Sequence, residues 1–145
     1  MNDLVNYFKK SATKLGVFYP THHLIAVFRD LVGAESAARK LWNAGFASSD
    51  AIVADGQAVL KFADAEADLA SLLMRPLSRF FATEQVFEDH DLEDARQGAG
   101  FLAVLCATDE LKDSAWALIE PEDPLDARYY SALGIEHLAG DLKTD

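Results

Sequence analysis

Between Phe101 and Ala107 the chain runs through seven apolar residues without a break, its longest such stretch. With Gly100 before it and Thr108-Asp109-Glu110 after it, the run reads as a strand buried on both faces. Apolar residues then recur at Leu111, Ala115, Leu118 and Ile119, the period of an amphipathic helix. Ala127–Tyr130 follows as a short aromatic strand. The same succession occurs once before. An offset of 77 residues carries Leu24–Phe28 onto Phe101–Leu105, and Ile52-Val53 onto Tyr129-Tyr130. It also carries Ala34, Ala38, Leu41 and Trp42 onto Leu111, Ala115, Leu118 and Ile119. The chain therefore contains two β-α-β halves.

The first strand spans His23–Phe28, and the first helix, Ala34–Ala44, carries its apolar stripe at Ala34, Ala37, Ala38, Leu41 and Trp42. Small alanines let such a helix lie close to a sheet, and Trp42 is expected to supply its largest buried surface. Gly45 stands where a left-handed C-cap belongs. Ala51–Ala54 and Gln57–Phe62 read as short strands separated by Asp55-Gly56, a dipeptide suited to a type I′ hairpin. From Asp64 to Ala82 a helical stripe runs through Leu69, Leu72, Leu73, Leu77, Phe80 and Phe81, with Pro76 expected to kink it. Ahead of the first half, Leu4, Phe8 and Leu15 mark a short amphipathic helix over residues 2–15. Behind the second half, Leu133–Leu138 is apolar enough to pack back on the body.

Two tandem β-α-β units predict an α+β, ferredoxin-like sandwich with the first and third strands in the middle and both helices on one face. The organisation expected is an N-terminal helix and linker (1–20) and a single domain (21–145). That domain divides into a first half (22–54), a helical and hairpin insertion (55–98), a second half (99–131) and a tail (132–145). Several short motifs sit on this frame: Asn43-Ala44-Gly45-Phe46, Asp50-Ala51-Ile52-Val53, Arg96-Gln97-Gly98-Ala99-Gly100, Arg128-Tyr129-Tyr130 and Ile135-Glu136. In these residues the chain resembles the small bacterial general stress proteins of the heat-induced type. The resemblance covers residues 22–140 and departs over 57–97, where those proteins carry a Gly-rich apolar insert. It implies an association with stress and carries no catalytic residue across.

Half of the 145 residues are apolar, enough for a core without metals or disulfides, and a lone cysteine, Cys106, excludes an internal disulfide. The net charge of −11 falls mainly beyond residue 62 and is offset by no basic stripe, which argues against nucleic-acid binding. No secretory h-region and no run long enough to span a membrane is present. A cytoplasmic protein is the expectation.

Candidate chemistry is sparse. His22 and His23 are adjacent on a strand, so they point to opposite faces and cannot chelate one ion. In the run Glu88–Asp94, His90, Asp91 and Asp94 are ligand types for a divalent ion. Acids also belong at a helix N-terminus, and a solvated helix start is the preferred reading. Cys106 lies on a buried face and is expected to be inert. No catalytic signature, cofactor-binding motif or metal motif can be named, so no cofactor is implied. The expected function is that of a non-catalytic interaction or assembly protein, acting as a homodimer. Its interface candidates are Leu69, Leu72, Leu73, Leu77, Phe80 and Phe81, together with the edge of the Gln57–Phe62 strand. The alternative is a small-molecule-sensing regulatory module with a ligand at a subunit interface. A pocket lined by Arg128, Tyr129 and His137 would favour it.

Overall fold

The structure is a computed structural model, and it describes residues 21–64 and 89–140. Their order is β1 (His23–Phe28), α1 (Leu31–Asn43), β2 (Ala51–Asp55), α2 (residues 56–64), α3 (Asp89–Arg96), β3 (Gly100–Leu105), α4 (Asp109–Ile119), a 3-10 turn (Glu120–Glu122), β4 (Asp126–Ser131) and β5 (Gly134–Ala139). The five strands form one antiparallel sheet in the order β2-β3-β1-β4-β5. The fold is α+β. The expected N-terminal helix (2–15), the Leu69–Phe81 stripe and the Pro76 kink lie outside the described residues.

β1 sits at the centre because all six of its residues are buried, and only a strand covered on both faces can be apolar throughout. Leu24 pairs with Val104 and Val27 with Phe101, the antiparallel contact of the two halves. Side chains alternate across the sheet, so the two faces have separate cores. Leu24, Ala26, Phe28, Leu102, Val104 and Tyr129 face α1 and α4, meeting Ala34, Ala37, Ala38 and Leu41 on the first and Ala115 and Ile119 on the second. Each of these helices starts at a side-chain cap: Asp30 Oδ1 accepts the Gly33 N–H at 3.0 Å, and Thr108 Oγ1 accepts the Leu111 N–H at 3.2 Å. α1 ends at Gly45, whose φ of 109° a side chain would resist.

The opposite face carries Ile25, Val27, Ala54, Phe101, Ala103 and Tyr130. It is covered by Val59 and Phe62 of α2 and by Leu92 and Ala95 of α3.

Three expectations need correction. Gln57–Phe62 is helical, so Asp55-Gly56 makes no hairpin. Asp55 instead caps the new helix, its Oδ1 accepting the Ala58 N–H at 2.9 Å. Val59 and Phe62, three apart, bury one helical face, a spacing that the strand reading passed over. Gly56 is small for a different reason from the one expected: a Cβ there would lie 2.1 Å from the Ala95 carbonyl oxygen, where α2 and α3 cross. Second, the extra strand lies at the other edge. The tail forms β5, which pairs with β4 across the short turn Ala132-Leu133. Third, Trp42 is 40% exposed, and the core residue of its turn is Leu41. The Trp42 indole lies along the rim of the sheet and donates to the Ala51 carbonyl at 3.0 Å.

Candidate functional site

A strand alternates its side chains, and in β4 the polar positions Asp126, Arg128 and Tyr130 share a face. That face is the one α3 covers. Arg128 is consequently fully buried, and a buried guanidinium requires partners on every side. α3 supplies the main one. Asp91, in its first turn and fully buried, takes Arg128 with both carboxylate oxygens: Oδ1 accepts from Nη1 at 3.2 Å, and Oδ2 accepts from Nη2. Nη1 also donates to Asp126 Oδ2 at 2.6 Å, and Nε to the Tyr130 hydroxyl at 2.7 Å. The guanidinium carbon stands 5.7 Å from the Tyr130 ring centroid. Burial alone would lower the Arg128 pKa, but Tyr130 and the Asp91 carboxylate outweigh it and hold it above its ordinary value. The residue is a fixed cation in the core.

His90, next to Asp91 and half-exposed, closes the outer side of the cluster. Its Nε2 lies 3.3 Å from Asp91 Oδ1 and 3.5 Å from Asp126 Oδ2. The structure therefore brings together His90 and Asp91 from the expected ligand set, adds Asp126 from β4, and leaves Asp94 out of the trio. Asp94 stands near enough to feel it. Burial raises its pKa first and the Asp91 charge adds to this, while His90 opposes them. The chemistry open to His90, Asp91 and Asp126 is limited by Arg128, because the two oxygens facing His90 are among those that accept from Nη1. A divalent ion held by the same atoms would sit against a buried positive charge. As built, the cluster is a clamp that ties α3 to β4.

Asp126 was the missed member, and Arg128, named only as a pocket candidate, joins it in an ion cluster. Their signal was the alternation Asp126, Arg128, Tyr130, which places both charges on the face of β4 that carries Tyr130.

The other face holds a second polar group. The Tyr129 hydroxyl donates to the Cys106 carbonyl at 2.7 Å and lies 3.3 Å from His22 Nδ1. Burial, with Cys106 nearby, pushes Tyr129 up to about 12. Burial likewise pushes the Cys106 thiol to about 12 against a smaller opposing pull from Lys112, so it is no thiolate at neutral pH. His23 is buried with its Nδ1 3.0 Å from the Thr21 carbonyl, and His22, expected on the strand, instead precedes β1 in a left-handed turn with φ 66°. Arg128 and Tyr129 point to opposite faces, so Arg128, Tyr129 and His137 do not line one pocket. Leu69, Leu72, Leu73, Leu77, Phe80 and Phe81 lie outside the described residues.

No family model, no curated protein and no solved structure matches the chain.

Proposed function

We propose that this chain is a non-catalytic interaction or assembly protein, built on a split β-α-β, ferredoxin-like core and acting as a homodimer. The observation that carries the reading is how the reactive side chains are used. Arg128 is spent on Asp91, Asp126 and Tyr130, and the Cys106 thiol is buried and protonated. Tyr129 is committed to a main-chain carbonyl. Enzymes keep an acid, base or nucleophile poised and accessible, whereas Arg128, Cys106 and Tyr129 are all committed inside the fold. Meanwhile Val32, Leu111, Leu125 and Leu133 stand in solvent as large apolar groups. The strand order β2-β3-β1-β4, with α1 and α4 on one face, supports the split β-α-β assignment. The association with bacterial stress rests on the sequence motifs of residues 22–140. Among the described residues no helix is long and apolar enough to cross a membrane.

Native mass spectrometry of the purified protein tests the reading. A ligand-free species of twice the 15.9 kDa chain mass is expected. A one-chain mass would refute the homodimer, and a retained small molecule in fixed stoichiometry would favour the ligand-sensing alternative.

A further inference from the structure

The hydrogen-bond parity of the sheet determines which main-chain groups each edge presents. The Cys106 N–H donates to the His22 carbonyl at 2.7 Å, and the Leu105 N–H to the Asp50 carbonyl at 2.7 Å. Even-numbered residues of β1 therefore bond β3, and odd-numbered residues turn to β4. Carried outward, the alternation leaves Ala51, Val53 and Asp55 facing away from the sheet on β2. On β5 it leaves Ile135 and His137 facing away.

The two edges are protected very differently. At β2 the Trp42 indole occupies the Ala51 carbonyl, and the strand runs directly into α2, which Asp55 caps. Val53 is the outward residue of β2 that neither the indole nor the helix start engages. At β5, among the described residues, nothing bonds the outward N–H and C=O of Ile135 and His137. The strand carries neither Pro nor Lys, the usual guards of an exposed edge. Its register shift falls at Leu138, since Ala127 pairs with Ala139 and Arg128 with His137, and the regular part of the edge is Gly134–His137. His137 Nδ1 is buried without a hydrogen-bond partner.

We infer that the outer edge of β5 is the assembly surface and that its occupant is β5 of a second copy, joined antiparallel into one continuous sheet. This rests on the homodimer reading and names its interface. Charge selects the place. The chain carries −11, yet the one acid of β5, Glu136, is neutralised by Lys112 Nζ at 2.8 Å from α4. Two copies can thus approach along β5 without opposing bare carboxylates. Both cores also run to this edge, through Ile135 on one face and Leu138 on the other. Charge selects the register too. Centring on Glu136 would set the two Lys112–Glu136 pairs directly opposite each other, like group to like group, which is unfavourable. Centring on Ile135 sets Glu136 opposite the partner's Gly134 and brings Leu133, 99% exposed, alongside the partner's His137.

The experiment is amide hydrogen exchange by NMR on the full chain at two concentrations, paired with light scattering. In the dimer the Ile135 and His137 amides are protected, and both lose protection on dilution to the one-chain species. Val53 exchanges fast throughout. Ile135→Pro, which removes one outward N–H and leaves the β4 pairing intact, should halve the scattering mass while preserving the circular dichroism spectrum. A dimer whose Ile135 and His137 amides exchange as fast as Val53 would overturn the β5 interface and leave the assembly reading standing. A wild-type chain that scatters as one copy at 100 μM, roughly the strength of a weak specific dimer, would overturn both. Should Ile135→Pro fail to fold, the wild-type amide protection still decides.

Discussion

On one face of the sheet Leu24, Ala26 and Phe28 meet Ala34, Ala37, Ala38 and Leu41, and the helix comes close because its contact residues are small. On the other face, Ile25 and Val27 meet Val59 and Phe62, but toward β4 the apolar surface gives way to Arg128, held by Asp91, Asp126 and Tyr130. The first face belongs to the two repeated halves, the second to the insertion between them. On the first face α1 is fixed by shape, since displacing its close-packed alanines would open voids. On the second α3 is fixed by charge, since displacing it would strand a buried ion.

That contrast is open to attack at its strongest point. Asp91→Ala would leave Arg128 buried without its bidentate partner and should cost on the order of 3–5 kcal/mol, read from urea unfolding. The triple variant Asp91→Leu/Asp126→Ala/Arg128→Met, which leaves no carboxylate facing the lost guanidinium, should recover most of this loss, because well-packed apolar groups are often as stable as a buried ion pair. A triple variant as unstable as the single would mean that Asp91 acts through packing and that the clamp is no clamp. On the apolar face the comparable lesion is Leu41→Ala, expected to cost about 2–5 kcal/mol through transfer and cavity terms. Its neighbour Trp42 is the control. Being 40% exposed, with one hydrogen bond to Ala51, it should lose only about 0.5–1.5 kcal/mol as Trp42→Phe. Equal losses at the two positions would place Trp42 back in the core.

How much of this was legible in the sequence follows the same division. β1 and β3, and α1 and α4, could be read because the repeat supplied each pattern twice, with buried strands apolar throughout. Where only one copy existed, local signals misled. Asp55-Gly56 looks like a turn, and nothing local reveals that Gly56 must admit the Ala95 carbonyl from a helix more than thirty residues away. Trp42 fitted the helical stripe, but the stripe is narrower than its period allows, and the indole N–H found a partner at the rim. Asp91 was read as a solvated acid at a helix start. Its burial depends on Arg128, which joins it from β4, and no spacing rule connects the two.

Smaller effects test the local half of the argument. Thr108→Ala removes the oxygen that accepts the Leu111 N–H and should lower stability by about 1 kcal/mol. The loss should appear in the same unfolding transition as Leu41→Ala, since α1 and α4 share one core. A separate early transition would show that α4 unfolds on its own.

The smallest expected effect lies at Asp94, beside the clamp but not in it. Partial burial, then repulsion from Asp91, raises its pKa against the opposing influence of His90. The folded state thus favours the protonated carboxyl more than the unfolded chain does. For a group shifted in this direction, the stabilising contribution is complete below its unfolded pKa and is lost as pH rises through its folded pKa. At neutral pH the ionised Asp94 therefore weighs against folding. Asp94→Asn keeps the shape without the charge, so the variant should be slightly more stable than the parent at pH 7. The gain should stay within about 0.5 kcal/mol, the usual range for a change near the surface. It should shrink toward zero in acid, where Asp94 is protonated in both states. Denaturant midpoints of both proteins between pH 7 and pH 3 would show the two curves converging. An Asn variant less stable at pH 7, or an advantage undiminished in acid, would mean that Asp94 is held by a favourable partner, and that the negative excess beside Arg128 is balanced by another group.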